Sequence, residues 1–108
     1  MTRVAFLKWL ADEWSPHCAE TLSSKGADYA RADDAFDNFK RHGKTLSLSP
    51  ATVWSIYFMK HVDAILTWVR SGEYKSEPIL DRLMDARNYI DLLAGEIAST
   101  EVKDEQAN

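Results

Sequence analysis

The segment SPATVWSIYFMKHVDAILTWVRSG, residues 49–72, decides the fold. Ser49-Pro50 is a helix start: the hydroxyl can accept from first-turn amides, and proline at the first helical position gives up an N–H that has no partner there. Ser71-Gly72 is the matching stop, since glycine readily enters the left-handed conformation that closes a helix. Between them Val53, Trp54, Ile56, Tyr57, Phe58, Val62, Ile65, Leu66, Trp68 and Val69 cover most of the circumference. A helix apolar on so many sides is enclosed by protein. The spacing predicts an all-α bundle with residues 50–70 as its third helix.

The flanking sequence reads as three more helices. Val4, Phe6, Leu7, Leu10, Trp14, Cys18 and Leu22 recur at helical spacing, so residues 3–24 form a first helix. Pro16 kinks it, because the apolar stripe passes through without a change of phase. Gly26 ends it, and residues 27–31 connect onward. Residues 32–42 form a short second helix with Phe36 and Phe39 inward, closed by Gly43 before the polar loop 44–49. Ser76 caps the fourth helix, which runs to about residue 98 and buries Ile79, Leu83, Ala86, Ile90, Leu93 and Ile97. The tail 99–108 lacks an apolar anchor and is expected to fray. Residues 1–98 thus read as one four-helix domain with a kinked first helix.

Composition narrows the function classes. A chain of 108 residues is a single domain by length, and 45% hydrophobic residues with four tryptophans support a packed core. The net charge of -4 argues against non-specific binding to nucleic acid, which requires a basic surface. An acidic protein still binds a nucleotide where a divalent cation mediates the contact. One cysteine permits no intrachain disulfide. No apolar run approaches the ~20 residues of a membrane span, and no signal sequence is evident, so the expected compartment is the cytoplasm.

The candidate chemistry lies on short polar signatures. Glu77, Asp81, Asp85 and Asn88 recur every three or four residues on the fourth helix. At about 100° per residue they fall within roughly 80° of its circumference. Adjacent-turn carboxylates repel, and no lysine stands one turn away to offset them. Such a stripe is either a solvated face or the wall of a cation site, and oxygen donors of this kind suit Mg²⁺ or Mn²⁺. Glu13, His17 and Glu20 share one face of the first helix, and Glu20 is a further candidate ligand. Lys60 either pairs with Asp63 or reaches a phosphate as a point charge. His61, framed by Trp54 and Trp68, reads as a partly buried, satisfied histidine, and Cys18 as a small core residue. Asp28 is either a turn residue or a ligand contact, and Tyr29 either packs on the bundle or stacks on a base. Asp34 and Asn38 on the second helix complete the set.

In this order the residues resemble a known family, the nucleotide modification associated domain 1 proteins common in bacteriophages and prophages. Its pattern is matched by Lys25, Asp28 and Tyr29; by Asp34, Phe36, Asn38 and Phe39; by Lys60; and by Glu77, Asp81, Asp85, Asn88 and Tyr89. The match spans about residues 20–95, and it departs from the pattern after Lys60, where His61-Val62-Asp63 replaces a more basic stretch. The resemblance implies a small domain that binds nucleotides and serves nucleotide modification or metabolism. More distantly the layout is similar to the all-α, MazG-like NTP pyrophosphatases, although their Glu-Glu-x-x-Glu signature is absent. By that analogy Glu77, Asp81 and Asp85 hold Mg²⁺ and orient a water, Lys25 or Lys60 neutralises phosphate, and Tyr29 or Phe39 stacks the base.

The third helix also suggests assembly. A bundle of this size covers about two of its three apolar sides, so a homodimer is expected, with Trp54, Phe58, Ile65 and Trp68 at or near the interface. The same surplus supports another reading, a non-catalytic protein-interaction module that uses this aromatic helix.

Overall fold

The structure, a computed structural model, describes residues 1–29, 34–73 and 77–107, with side chains at all of these except 26–29 and 102–107. It is an all-α bundle, as the periodicity predicts.

The first long helix is continuous but distorted. Thr2 caps it, its Oγ1 accepting the Ala5 amide at 3.1 Å. Helix α1 (Arg3–Trp9) passes through a π-helical turn (Leu10–Trp14) into α2 (Ser15–Tyr29). The Ser15 amide reaches back to the Leu10 carbonyl, five residues away. Pro16 has no N–H for the Asp12 carbonyl and its ring would crowd that oxygen, so the widened turn before it relieves both problems. The distortion expected at Pro16 therefore takes the form of a π turn. The helix does not end at Gly26 but runs to Tyr29, and its last turns are tied to the bundle by Lys25.

Helix α3 (Asp37–Leu46) starts and ends later than expected. Asp34 organises a turn before it: its Oδ1 accepts the Phe36 amide at 2.9 Å and its carbonyl accepts the Asp37 amide at 3.1 Å. Gly43 lies inside the helix rather than closing it. A Cβ there would stand 2.6 Å from the Leu48 carbonyl oxygen, so glycine is needed for close approach. Ser47, at φ 58, provides the left-handed residue that stops α3.

Helix α4 (Pro50–Ser71) has the predicted ends. Ser49 Oγ accepts the Thr52 amide at 3.1 Å, and Gly72, at φ 72, donates to the Trp68 carbonyl at 2.7 Å. Helix α5 (Ile79–Ala107) returns antiparallel to α4 and continues through the residues expected to fray as far as Ala107. That tail is rich in Glu, Lys, Gln and Ala, which propagate a helix without burial. The proposed cap, Ser76, lies outside the described residues. Trp54 Nε1 donates to the Tyr89 carbonyl at 2.7 Å and His61 meets Arg82, which sets the antiparallel register. The core is Phe36, Phe39 and Val53, flanked by Trp54, Tyr57, Tyr89, Leu92 and Leu93.

The expected orientation of α5 holds only in part. Ala86 is buried and Ile79 and Leu93 partly so, but Leu83, Ile90 and Ile97 are 37%, 51% and 51% exposed. Met84 and the polar Asn88 are buried in their place, each 5% exposed. Of the polar stripe, Asn88 is buried and Glu77 and Asp85 are partly so, where Arg82 and Lys25 compensate their charge, while Asp81 stays exposed. Of the four α4 residues expected at an interface, Trp54, Phe58 and Ile65 are partly buried within the chain, with Trp54 and Phe58 stacked at 4.8 Å, and Trp68 is 39% exposed. Among the described residues no helix is long and apolar enough to cross a membrane.

Candidate functional site

The polar face of α5 lies between α2 and α4; a lysine meets it from α2, a histidine from α4, and an arginine of α5 itself stands among its carboxylates. Lys25 Nζ on α2 donates to Asp85 Oδ1 at 2.8 Å, where the aspartate side chain is only 16% exposed. Arg82 stands between two partners: Nη2 is 2.7 Å from Glu77 Oε1, and Nη1 is 3.0 Å from His61 Nδ1. A guanidinium has only donors, so His61 Nδ1 accepts and the ring carries its proton on Nε2. Burial, and then the Arg82 charge, hold the His61 pKa below its ordinary value; the Asp85 and Glu77 carboxylates pull the other way, and Lys25 reinforces the lowering. The neutral ring packs 4.8 Å from Tyr89. The carboxylate repulsion that favours a bound cation is thus offset, at Glu77 and Asp85, by the chain's own cations.

Asp81 is exposed and has no ion pair among the described residues. Asn88, one turn beyond Asp85, is buried, and among the described residues its Oδ1 has no hydrogen-bond partner. A buried amide oxygen without a donor costs about 1–3 kcal/mol, so its retention at this spot calls for a reason.

The other expected residues divide. Glu20 is exposed, about 140° around α2 from Lys25, and does not join the α5 face, because helical phase sends it outward. Phe39 is a core residue, 3% exposed, enclosed by Phe36, Tyr57 and Tyr89 at ring distances of 4.7, 6.2 and 5.8 Å. No ring face is left there for a base. Asp34 and Asn38 build α3: Asp34 pairs with Lys40, which also reaches Glu96 at 3.2 Å, and Asn38 Oδ1 accepts from Arg41 at 3.0 Å. Lys60 is exposed above the Tyr57 ring, 5.4 Å from its centroid, rather than paired with Asp63. The side chains of Asp28 and Tyr29 lie outside the described residues. Cys18 is 1% exposed and burial pushes its thiol pKa up, which suits the core role expected of it. Among the described residues no three of His, Cys, Asp and Glu come close enough to hold a metal ion. Mg²⁺ commonly needs no such cage, since one or two carboxylates and substrate phosphates hold it.

Arg82 is the residue that sequence reading missed. Glu77 stands before the helix, which begins at Ile79, so it folds back to an arginine five positions on, a spacing outside the i, i+4 rule. No protein-family model, curated protein or solved structure matches the chain.

Proposed function

We propose that this domain binds a nucleotide through its phosphates at the Lys25, Asp85 and Asn88 cluster, and that it serves nucleotide modification or metabolism in a cytoplasmic setting. The observation that carries this reading is convergence. Lys25 and Asp85 belong to separate polar signatures 60 residues apart, yet they meet one turn before Asn88, a buried amide whose oxygen has no partner among the described residues. An incoming phosphate competes with Asp85 for the Lys25 ammonium, and a Mg²⁺ ion arriving with it has Asp81 and the released Asp85 as oxygen donors. Asn88 supplies a short polar contact that the described residues leave unmet. Hydrolysis of a nucleoside triphosphate is the reaction implied by the resemblance; under it the exposed Asp81 orients the attacking water. The test is the shift in melting temperature caused by millimolar dNTP with Mg²⁺. Wild type is expected to rise by several degrees, and Lys25→Ala and Asp85→Asn to lose most of that rise. Equal shifts in all three proteins would sink the reading.

A second reading, protein association without nucleotide chemistry, is favoured by the exposure of Ile56, Met59, Leu66 and Val69 on α4, at 50%, 52%, 42% and 65%. The two readings separate cleanly, since association leaves the Asp85→Asn melting shift equal to that of wild type.

A further inference from the structure

One stripe of α5 grades from charged to apolar. Asp81, Asp85, Asn88 and Leu92 follow one another at helical spacing, so they share a face over about 16 Å of helix. Asp81 is exposed, the Asp85 side chain is 16% exposed, and Asn88 is 5% exposed. Leu92, the last, packs against the Phe36, Phe39 and Val53 core. The half-exposed Lys25 meets this stripe at Asp85. Asn88 is therefore the point at which the stripe has left water but has not yet become apolar.

The bonding needs of Asn88 say what kind of group belongs there. Its Oδ1 is buried and has no hydrogen-bond partner among the described residues. That oxygen only accepts, so a donor must fill it, and an ionised phosphate, which offers acceptors alone, cannot. A hydroxyl both donates and accepts, so it pairs with the amide whichever way the amide is turned. Burial adds a second constraint. A phosphate at so enclosed a neutral amide would lose most of its hydration, whereas a neutral hydroxyl loses little once it is bonded. The charged end of a nucleotide thus stays at Lys25, Asp81 and Asp85, and its neutral part reaches Asn88. The 3′-hydroxyl of the sugar, present in ribo- and deoxynucleotides alike, lies next to the phosphates, and the donors of the base lie farther out. Asn88 stands three residues past Asp85, an axial step of about 4.5 Å, which suits the nearer group.

We infer that Asn88 selects for a free 3′-hydroxyl: its Oδ1 accepts from the sugar O–H while Lys25 holds the phosphates. The inference rests on the nucleotide reading of this cluster and adds which part of the nucleotide Asn88 recognises. As the phosphates draw Lys25 away from Asp85, the contact between α2 and α5 one turn from Asn88 loosens, and the sugar enters there. A nucleotide that lacks the hydroxyl leaves the buried oxygen as unmet as before, so it binds more weakly. Calorimetric titration in millimolar Mg²⁺ tests this by comparing each dNTP with its 2′,3′-dideoxy counterpart. Wild type is expected to bind the deoxy form roughly tenfold or more tightly. Asn88→Leu loses that preference, and Asn88→Ala serves if the leucine variant does not fold. An Asn88 that merely supports the fold would weaken both forms alike, so a preference that survives in these variants overturns the inference. Equal affinity of wild type for the two forms also overturns it, yet leaves the nucleotide reading standing. Absence of binding by either form removes that reading and the inference with it.

Discussion

Lys25 on α2 and Asp85 on α5 meet at 2.8 Å across 60 residues of sequence, and this contact ties the last turns of α2 to the polar face of α5. The lysine is 54% exposed and the aspartate 16%, so solvent screens much of the attraction. A double-mutant cycle on Lys25→Ala and Asp85→Ala, read by urea unfolding, is expected to give a coupling of about 0.5–1 kcal/mol. A coupling of zero would mean that the pair does not hold α2 in place.

His61 makes folding sensitive to mild acid. Its pKa is lowered from an ordinary 6.5 by burial and then by Arg82, so the folded state keeps the ring neutral while the unfolded chain takes up a proton first. The stabilising contribution is therefore complete above about pH 6.5 and is lost as pH falls through the lowered folded value. Urea midpoints measured between pH 7.5 and 5 are expected to fall more steeply in wild type than in His61→Gln. Parallel profiles would show that the ring is not held neutral by the fold.

The turn between α3 and α4 has one residue that is required and one that is strained. Gly43→Ala places a methyl 2.6 Å from the Leu48 carbonyl, a backbone atom that cannot swing aside, and is expected to cost about 1–3 kcal/mol. Ser47 holds a left-handed conformation at φ 58, so Ser47→Gly is expected to gain up to about 1 kcal/mol. Thermal unfolding of the two variants checks both signs, and a stabilising Gly43→Ala would contradict the close approach.

These residues also show why some of the fold was legible in sequence and some was not. Ser49-Pro50 and Gly72 are local signals, and they act where they stand. Gly26 and Gly43 look alike in sequence, yet one lies mid-helix and the other is kept for contact with a carbonyl five residues on. The inward face of α5 depends on partners remote in sequence. Its carboxylates tolerate the interior because Lys25 and Arg82 meet them, and Leu83, Ile90 and Ile97 turn outward. A single helical wheel cannot rank a charged stripe with hidden counter-ions against an aliphatic stripe that stays exposed. The inward side of Phe39 and the cluster residues Asp85 and Asn88 were readable from spacing, whereas the role of Arg82 became visible only in three dimensions.

Asn88 separates stability from binding. Asn88→Leu removes a buried oxygen that has no partner among the described residues, so stability is expected to hold or rise by about 1 kcal/mol while nucleotide affinity falls. Urea unfolding and ligand titration on the same variant read the two effects. A loss of more than 2 kcal/mol with affinity retained would make Asn88 a structural residue, its oxygen satisfied by water.

Calorimetric titration of the wild-type protein with the four common dNTPs, each with and without millimolar Mg²⁺, tests the central claim most directly. The expected result is saturable binding of at least one nucleotide at one site per chain, strengthened by Mg²⁺ and weakened tenfold or more in Lys25→Ala. Absence of binding heat at millimolar nucleotide, in every combination and at two temperatures, would contradict it.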